Sequence, residues 1–253
     1  MKSFLRIPAI VASVLLLSTP VHADTVGISI GAAYWAPSLS GNFNSTGDAQ
    51  INLSDDLGID DPSSSSSVAI TLEHPIPVLP NIRYQGFNLD SSGISTLTGS
   101  INYNGQTYSA GETVRSSFDL THDDIYLYYQ VLDNWLNLDV GLDLKLFDGE
   151  VSAVGSSNTT TASIKIDETI PLLYLSARVD LPFNGFYVGT DFSGLSVNDS
   201  SVVDTTIKLG YESGIGLGIE GGYKTFTLKL DDVNAFNSDL EYKGAYVKGY
   251  FHF

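Results

Sequence analysis

The sequence predicts an all-β protein, a closed antiparallel up-and-down transmembrane β-barrel of about ten strands, with eight or twelve strands as alternatives. Three observations lead to this fold class. Apolar residues recur at every second position in many segments, which is the period of a strand whose successive side chains face opposite ways. Long and short connections alternate between these segments. The chain also closes on an aromatic residue, Phe253.

The first 23 residues have the features of a secretory signal peptide. Lys2 and Arg6 precede the mostly apolar stretch 7–17, and Val21-His22-Ala23 matches a small-residue cleavage pattern. A membrane-spanning helix is the alternative, but it needs about 20 apolar residues, and this run is much shorter. We therefore expect residues 1–23 to be removed and residues 24–253 to form the barrel.

The clearest alternation lies in residues 136–147, where leucine and valine occupy one face and polar residues or glycine occupy the other. Similar patterns occur along the rest of the chain. The predicted strands are 25–36, 67–74, 81–90, 115–131, 136–147, 166–181, 186–194, 203–212, 215–226 and 240–253. In the third of these, Ile82 and Tyr84 are out of phase with Phe87 and Leu89, which predicts a β-bulge between the two pairs.

The connections predict which end of each strand faces which side of the membrane. Long connections are expected at 38–66, 91–114, 148–165, 195–202 and 227–239, and tight turns at 74–80, 132–135, 182–185 and 213–214. An even number of strands then leaves both termini on the turn side. Asn104-Gly105 predicts a hairpin tip in the second long loop. Residues 151–154 and 163–166 are predicted to extend the fifth and sixth strands beyond the membrane.

Alternation alone does not say which face looks inward, so a soluble barrel with an apolar interior is the competing hypothesis. Aromatic residues at the strand ends favour the membrane barrel, because two aromatic rings fit the two lipid interfaces. These residues are Tyr34, Phe192 and Tyr223 on the loop side, and Tyr129, Phe186, Tyr211 and Phe253 on the turn side. The end of the chain, with Val247 and Phe251 in phase with Phe253, resembles the carboxy-terminal signature of bacterial outer-membrane barrels. That signature implies a Gram-negative outer-membrane location and recognition by the barrel assembly machinery.

Composition excludes several other classes of protein. The chain has 12 basic and 29 acidic residues and a formal charge of -17, which phosphate backbones would repel, so nucleic acid is not an expected partner. The absence of cysteine excludes a disulfide framework, a thiolate zinc site and a cysteine nucleophile. No cofactor is expected. The expected partners are outer-membrane lipid and lipopolysaccharide.

Two motifs resemble those of a family of small proteobacterial outer-membrane barrels known for a glycine-glycine motif. Residues 73–81 read Glu-His-Pro-Ile-Pro-Val-Leu-Pro-Asn, similar to the Glu-His-Pro-x-Pro-x-x-Pro-Asn turn of that family. Residues 220–224 read Glu-Gly-Gly-Tyr-Lys, with Lys224 where the family pattern has arginine. The resemblance extends over essentially the whole mature chain. It implies the barrel architecture and the location, and the family has no established activity.

The polar faces of the strands predict a lumen filled with mixed charges. The residues expected to form this lumen network are Arg83, Asp124, Asp139, Asp143, Lys145, Arg178, Asp191, Lys208, Glu220 and Lys224. A ten-stranded interior is only slightly wider than side chains can fill, and porins with open channels have about 16–18 strands. We therefore expect a non-catalytic outer-membrane protein with a plugged lumen, serving a structural or surface-interaction role or the narrow passage of a small solute.

An outer-membrane enzyme, such as a lipid hydrolase or protease, is the alternative function. His122 and Asp124 share one face of a strand, and Ser116 or Ser117 lies nearby in sequence, so these residues are the candidate catalytic set. A structural role for His122 and Asp124 in the lumen network is the favoured interpretation.

The first long loop suggests a weaker hypothesis, a calcium site. Asp55, Asp56, Asp60 and Asp61 supply the hard oxygen ligands that calcium prefers, but their spacing lacks the pattern of an EF-hand. A solvated acidic surface is the favoured interpretation of these residues. Divalent ions bridging them to lipopolysaccharide phosphates are the alternative.

Overall fold

The structure is a computed structural model that describes residues 26–59, 64–157, 161–233 and 236–253. The expected signal peptide lies outside these ranges. Within them, no helix has the length and apolar character needed to cross a membrane. The strands are β1 (Gly27–Ser45), β2 (Ile51–Asn52), β3 (Ser65–Glu73), β4 (Asn81–Thr96), β5 (Ile101–Tyr103), β6 (Gln106–Tyr108), β7 (Thr113–Asp119), β8 (His122–Asp133), β9 (Leu136–Gly155), β10 (Thr161–Asp180), β11 (Phe186–Val197), β12 (Ser200–Glu212), β13 (Leu217–Val233) and β14 (Phe236–His252).

The strands close into a ring of antiparallel neighbours. The order is β1, β3, β4, β8, β9, β10, β11, β12, β13 and β14, and β14 pairs with β1 over residues 29–45 of β1. β7 continues the wall above β8, because it pairs with the upper parts of β4 and β9. The predicted ten-stranded up-and-down barrel is confirmed. Along the lower part of the wall, closure pairs every barrel strand with a neighbour on both sides, as strands must be paired to lie in hydrocarbon.

Tight turns join the strands at one end, at 74–80, 134–135, 181–185 and 213–216. The start of the first barrel strand and the end of the last one both lie on this side, since Ser29 pairs with His252 and Gly27 pairs with Glu73 at the base of the 74–80 turn. The predicted placement of the termini is confirmed. In an outer-membrane barrel the turn side faces the periplasm and the long-loop side faces the outside.

A belt of exposed apolar side chains surrounds the lower part of the barrel. It is clearest on β9, where Val140 and Leu142 face outward and the outward positions above them change to Asp148 and Glu150. The predicted interface aromatics Tyr34, Phe192, Tyr223, Tyr129, Phe186, Tyr211 and Phe253 are all exposed on the outer surface. A closed barrel with an apolar outer belt is a transmembrane β-barrel of the outer-membrane type, and this location is also what the sequence predicted.

Above the belt, the apolar side chains turn inward. The extended ends of β1, β4, β9, β10, β13 and β14 enclose a core built from Leu39, Phe43, Leu89, Phe118, Val151, Phe226, Leu240 and other buried residues. The predicted extensions at 151–154 and 163–166 are part of β9 and β10 and are confirmed. This part of the barrel has the apolar interior of a soluble protein, so the two halves of one wall have opposite polarity.

This change of polarity explains the phase shift in the third barrel strand. Ile82 and Tyr84 face outward, whereas Phe87 and Leu89 are buried in the interior. The pairing of β4 with β3 and β8 runs without a register shift over these residues, so the predicted bulge is wrong. The backbone of β4 is regular. The apolar residues lie on its outer face next to the lipid and on its inner face next to the extracellular core.

A short hairpin, β5–β6, closes the extracellular core. Its tip is Asn104-Gly105, both with positive φ (47° and 75°), which confirms the predicted asparagine-glycine turn. Tyr103 and Tyr108 are fully buried, and their hydroxyls donate to the carbonyl oxygens of Val151 and Ala153, each at 2.8 Å. Burial raises the pKa of the Tyr103 hydroxyl, which keeps it a neutral donor. These contacts hold the hairpin against β9 of the barrel wall.

We predict that shortening one core side chain will weaken the barrel through its extracellular half. Leu240→Ala should lower the free energy of unfolding by about 2–5 kcal/mol, because it leaves a cavity at a fully buried site. Denaturant unfolding of the protein refolded in detergent micelles measures this change. Asp239→Ala, on the outer face of the same strand, is the matched control and should leave stability unchanged. Equal effects of the two variants would contradict a packed core in this region.

Candidate functional site

The ten residues predicted for the lumen network all lie on the inner face of the wall, in the part of the barrel below the extracellular core. They fall into three levels, which we name the charged layer, the middle lumen and the vestibule. The charged layer contains Asp124, Lys145, Asp204 and Lys224 and lies nearest the core. The middle lumen is built around Arg83, Asp191, Lys208 and Glu220, and the vestibule opens to the turn side.

The charged layer is a continuous chain of ion pairs. Lys145 Nζ donates to both carboxylate oxygens of Asp124, at 2.8 and 2.7 Å, and lies 3.6 Å from Asp204. Lys224 donates to Asp204 from the opposite side. The side chains of Lys145 and Asp124 are fully buried. Asp143 is buried on the same inner face, two residues before Lys145. Pairing of this kind is what allows charges to lie out of water.

Aromatic rings cover the charged layer on the side of the extracellular core. Phe87 stacks on His122 with centroids 4.9 Å apart, and Phe147 and Phe226 lie 5.3 and 5.8 Å from the same imidazole. Lys224 Nζ is 5.0 Å from the centre of the Phe87 ring, within the range of a cation–π contact. The aromatic layer and the charged layer together close the barrel.

The middle lumen is filled by a second set of pairs. Lys208 donates to Asp191 at 2.6 Å. Arg83 donates to the hydroxyl of Tyr174 at 2.8 Å and lies 4.1 Å from the centre of the Tyr126 ring. Between this level and the charged layer lies a cavity of about 60 Å³, which has room for little more than ordered water.

Glu220 gives the glycine-glycine motif a physical role. Its carboxylate accepts hydrogen bonds from Tyr187 at 2.9 Å and Tyr246 at 2.7 Å, so the glutamate joins strands on either side of it. At Gly222 a Cβ atom would lie 2.0 Å from the carbonyl oxygen of Ile207 and 2.9 Å from the Tyr246 ring. Glycine is required there because a Cβ atom would overlap the backbone of the neighbouring strand and also press on the Tyr246 ring.

The vestibule is a cavity of about 380 Å³ at the turn side. Arg178 lies in its wall, with Nε 2.9 Å from Asp180 and Nη1 3.5 Å from Glu212. Asp139 lines the same cavity, and Glu73 accepts a hydrogen bond from Tyr128 at 2.7 Å. In the described part of the chain, the lumen therefore opens on the turn side, and the charged and aromatic layers fill it on the loop side.

The proline-rich turn below the vestibule is held by His74. Its Nε2 lies 3.1 Å from the carbonyl oxygen of Pro80, and its Nδ1 accepts a hydrogen bond from the backbone of Ile76 at 3.3 Å. Asn81 Oδ1 accepts from the backbone nitrogen of His74 at 3.0 Å. Both ends of the motif are thus tied together by the side chains of its histidine and asparagine, which is a structural role.

The candidate catalytic residues come together, but without the geometry of a nucleophilic site. His122 is buried, its Nδ1 lies 2.7 Å from the Leu120 carbonyl oxygen, and its Nε2 is 4.0 Å from Asp124, beyond hydrogen-bond distance. Ser116 is buried and Ser117 faces outward on β7, and no contact joins either serine to His122 among the described residues. His122 and Asp124 pack as part of the charged and aromatic layers.

The acidic loop shows no metal-binding arrangement where it is described. Asp55 is exposed, and Asp56 accepts a hydrogen bond from the backbone of Asn52 at 2.8 Å. Asp60 and Asp61 lie outside the described residues. Within the described ranges, no group of three or more histidine, aspartate or glutamate side chains is placed to hold a metal ion.

Sequence reasoning missed the aromatic layer and the role of Tyr187. The buried aromatic residues Trp35, Phe87, Phe147 and Phe226 lie on the same face of their strands as the polar lumen residues. A pattern that expects only polar residues on the inner face does not predict them. A signal for them was available in the sequence, because each one comes directly after the polar residues on the inner face of its strand.

No family model and no curated protein matches the chain. Three solved structures show a distant likeness. The outer-membrane protease OmpT from Escherichia coli matches at 13% identity with a TM-score of 0.46, over 89% of this chain and 97% of that one. The transport unit of the autotransporter AIDA-I from E. coli matches at 10% identity and 0.41, over 95% and 93%. An outer-membrane channel from Pseudomonas putida F1 matches at 10% and 0.40, over 94% and 100%. At these values neither activity nor substrate transfers to this chain.

We predict that Lys145→Met will lower the free energy of unfolding by about 3–5 kcal/mol, because it leaves the buried carboxylate of Asp124 without its closest cation. Denaturant unfolding in micelles measures the loss. Replacing the partner as well, in Lys145→Met with Asp124→Leu, should restore most of it. Lys243→Met removes an exposed ion pair with Glu241 and should have no measurable effect. A Lys145→Met barrel as stable as the parent would rule out a dry charged layer.

Proposed function

We propose that the protein is a non-conducting, non-catalytic outer-membrane barrel that anchors a rigid extracellular structure, with a structural or surface-interaction role. The observation that carries this proposal is that side chains fill the lumen at three successive levels. Above the vestibule, the path meets the ion pairs of Lys145 and Lys224, then the rings of Phe87 and Phe226, then the apolar core. A solute crossing the barrel would have to displace all three.

The narrow passage of a small solute is the weaker form of the hypothesis. The interior of a ten-stranded barrel has space for side chains with little left over, and here the side chains fill it with paired charges and rings. Separating a buried ion pair leaves charges without partners, at a cost of several kcal/mol. This cost opposes spontaneous opening, so closure supports an anchoring role over a transport role.

The outer surface above the belt supports contact with lipopolysaccharide. Exposed acidic side chains stand on several of the extended strands, at Asp90, Asp148, Asp167, Asp231 and Asp239. We propose that divalent ions bridge such carboxylates to the phosphates of lipopolysaccharide, since hard cations prefer oxygen ligands. Lys165 and Lys229 are exposed on the same surface and fit direct contact with phosphate.

The last strand supports recognition by the barrel assembly machinery. Phe253 is exposed on the lipid side, and its backbone nitrogen donates to the carbonyl oxygen of Ile28 at 2.8 Å. This bond is part of the β14–β1 seam that closes the ring. We propose that β14 is free before closure and that its aromatic end is what the machinery binds.

Planar-bilayer recording tests the closed lumen. The mature protein should give no steady conductance of porin size. A second variant replaces residues 99–110 by Gly-Gly and so removes the β5–β6 hairpin. The flanking segments can be joined by this short linker because the backbone groups of Leu97 and Glu112 are hydrogen bonded at 2.9 Å. This variant should also stay closed, because the charged and aromatic layers remain. A steady porin-like current from the parent protein would sink the proposal.

A separate assay addresses the enzymatic alternative. The purified barrel should have no activity on lipid, ester or peptide substrates, and His122→Ala should change nothing in these assays. The control is the folded state, checked by the migration of unheated protein on a gel. Hydrolysis by the parent protein that His122→Ala abolishes in a folded barrel would support an enzyme.

A further inference from the structure

The barrel wall has a lateral opening above the membrane belt, between β10 and the short β11–β12 hairpin. Pairing of β10 with β11 ends at Leu173 and Gly194, although β10 extends to Thr161 and β11 to Val197. The other side of β10 remains paired with β9 throughout this stretch. Above Leu173, β10 is therefore an edge strand in the described part of the wall.

Proline accounts for the place where the two strands separate. Pro171 lies two residues above the last pair, and its nitrogen cannot donate a hydrogen bond to a neighbouring strand. Proline in a sheet is confined to edges and irregular positions for this reason. The hairpin itself turns at 198–199, below the tops of β10 and β13, so no described strand pairs with β10 above it.

The opening leads into an apolar groove with a volume of about 190 Å³. Its walls include Phe147, Ile170, Leu195, Leu228 and Leu230, whose side chains face the inside of the barrel. Glu168 is the one charged residue among the described lining residues and lies at the β10 side. A dry apolar cavity of about 150 Å³ is large enough to bind benzene, so this groove has room for part of a hydrocarbon chain.

The groove is continuous with the lipid-facing belt. Leu173, the last paired residue on β10, is 60% exposed on the outer surface, and Phe192 is exposed beside it on β11. The Phe192 ring lies over Gly194, where a Cβ atom would be 2.5 Å from it. An apolar surface therefore runs from the belt, across Leu173 and Phe192, to the mouth of the groove.

From this continuity we propose that the groove binds an acyl chain of a lipid in the outer leaflet. The chain enters from the side, at the outer edge of the belt, and lies against Leu195, Leu228 and Leu230. A lipid already in the membrane reaches the mouth without crossing water. The inference goes beyond the anchoring role and is independent of whether the lumen conducts.

Quenching by spin-labelled lipid tests the proposal in the reconstituted full-length barrel. The parent chain has no cysteine, so Val197→Cys, at the mouth of the groove, can carry a single bimane fluorophore. The quencher is phosphatidylcholine with a nitroxide near the end of one acyl chain. Ser196→Cys, the adjacent residue on the outer face of β11, is the matched labelling site. We expect bimane at position 197 to be quenched at least as strongly as bimane at position 196.

A second substitution shows whether quenching requires the groove. Leu230→Trp fills the groove, and Lys229→Trp adds the same side chain to the outer face of the same strand. Leu230→Trp should reduce the quenching at position 197 at least twofold, whereas Lys229→Trp should leave it unchanged. Unchanged quenching in the Leu230→Trp barrel, or no quenching at position 197 in the parent, would overturn the proposal.

The source of the acyl chain is tested by a separate arm. Nitroxide-labelled fatty acid is added from the aqueous phase to vesicles that contain no labelled phospholipid. If fatty acid quenches position 197 and membrane lipid does not, the outer-leaflet source is wrong. Native mass spectrometry from detergent gives a label-free readout, in which the parent barrel retains a phospholipid and Leu230→Trp loses it.

Discussion

Backbone hydrogen bonding in hydrocarbon is the constraint on which the rest of this structure depends. Each unpaired amide or carbonyl inside the membrane costs several kcal/mol, so the wall strands must close into a ring. Here the seam is the long pairing of β14 with β1, which reaches from the turn side to the far end of both strands. Closure fixes which side chains face the lipid, and the remaining half of the side chains must then fill a narrow interior.

The same wall meets two different surroundings along its length. In the membrane, the apolar side chains face outward and the interior holds paired charges. Above the membrane, water surrounds the wall and the apolar side chains face inward. The layer of Asp124, Lys145, Asp204 and Lys224 lies where the two regimes meet, with rings on one side and the polar lumen on the other. The buried ion pairs therefore lie between the polar interior and the apolar interior.

The sequence predicted the strand number, the turn side, the interface aromatics and the inner face of the lumen, because period-two alternation and turn residues are local signals. It did not predict the extracellular core. A rule that keeps the apolar residues on one face along a whole strand interprets the shifted phase of Phe87 and Leu89 as a bulge. The partners within the lumen also required the structure. Lys145 and Asp124 are 21 residues apart, and only the pairing of β8 with β9 brings them together.

Because the vestibule opens on the turn side, the described lumen is a cavity with its opening at one end. It opens between the periplasmic turns, near Arg178 and Asp180, and ends at the sealed layer around Lys145. With the lumen closed as proposed above, small ions and protons would enter it from the periplasm alone. Its ionic environment would then follow the composition of the periplasm and not that of the exterior.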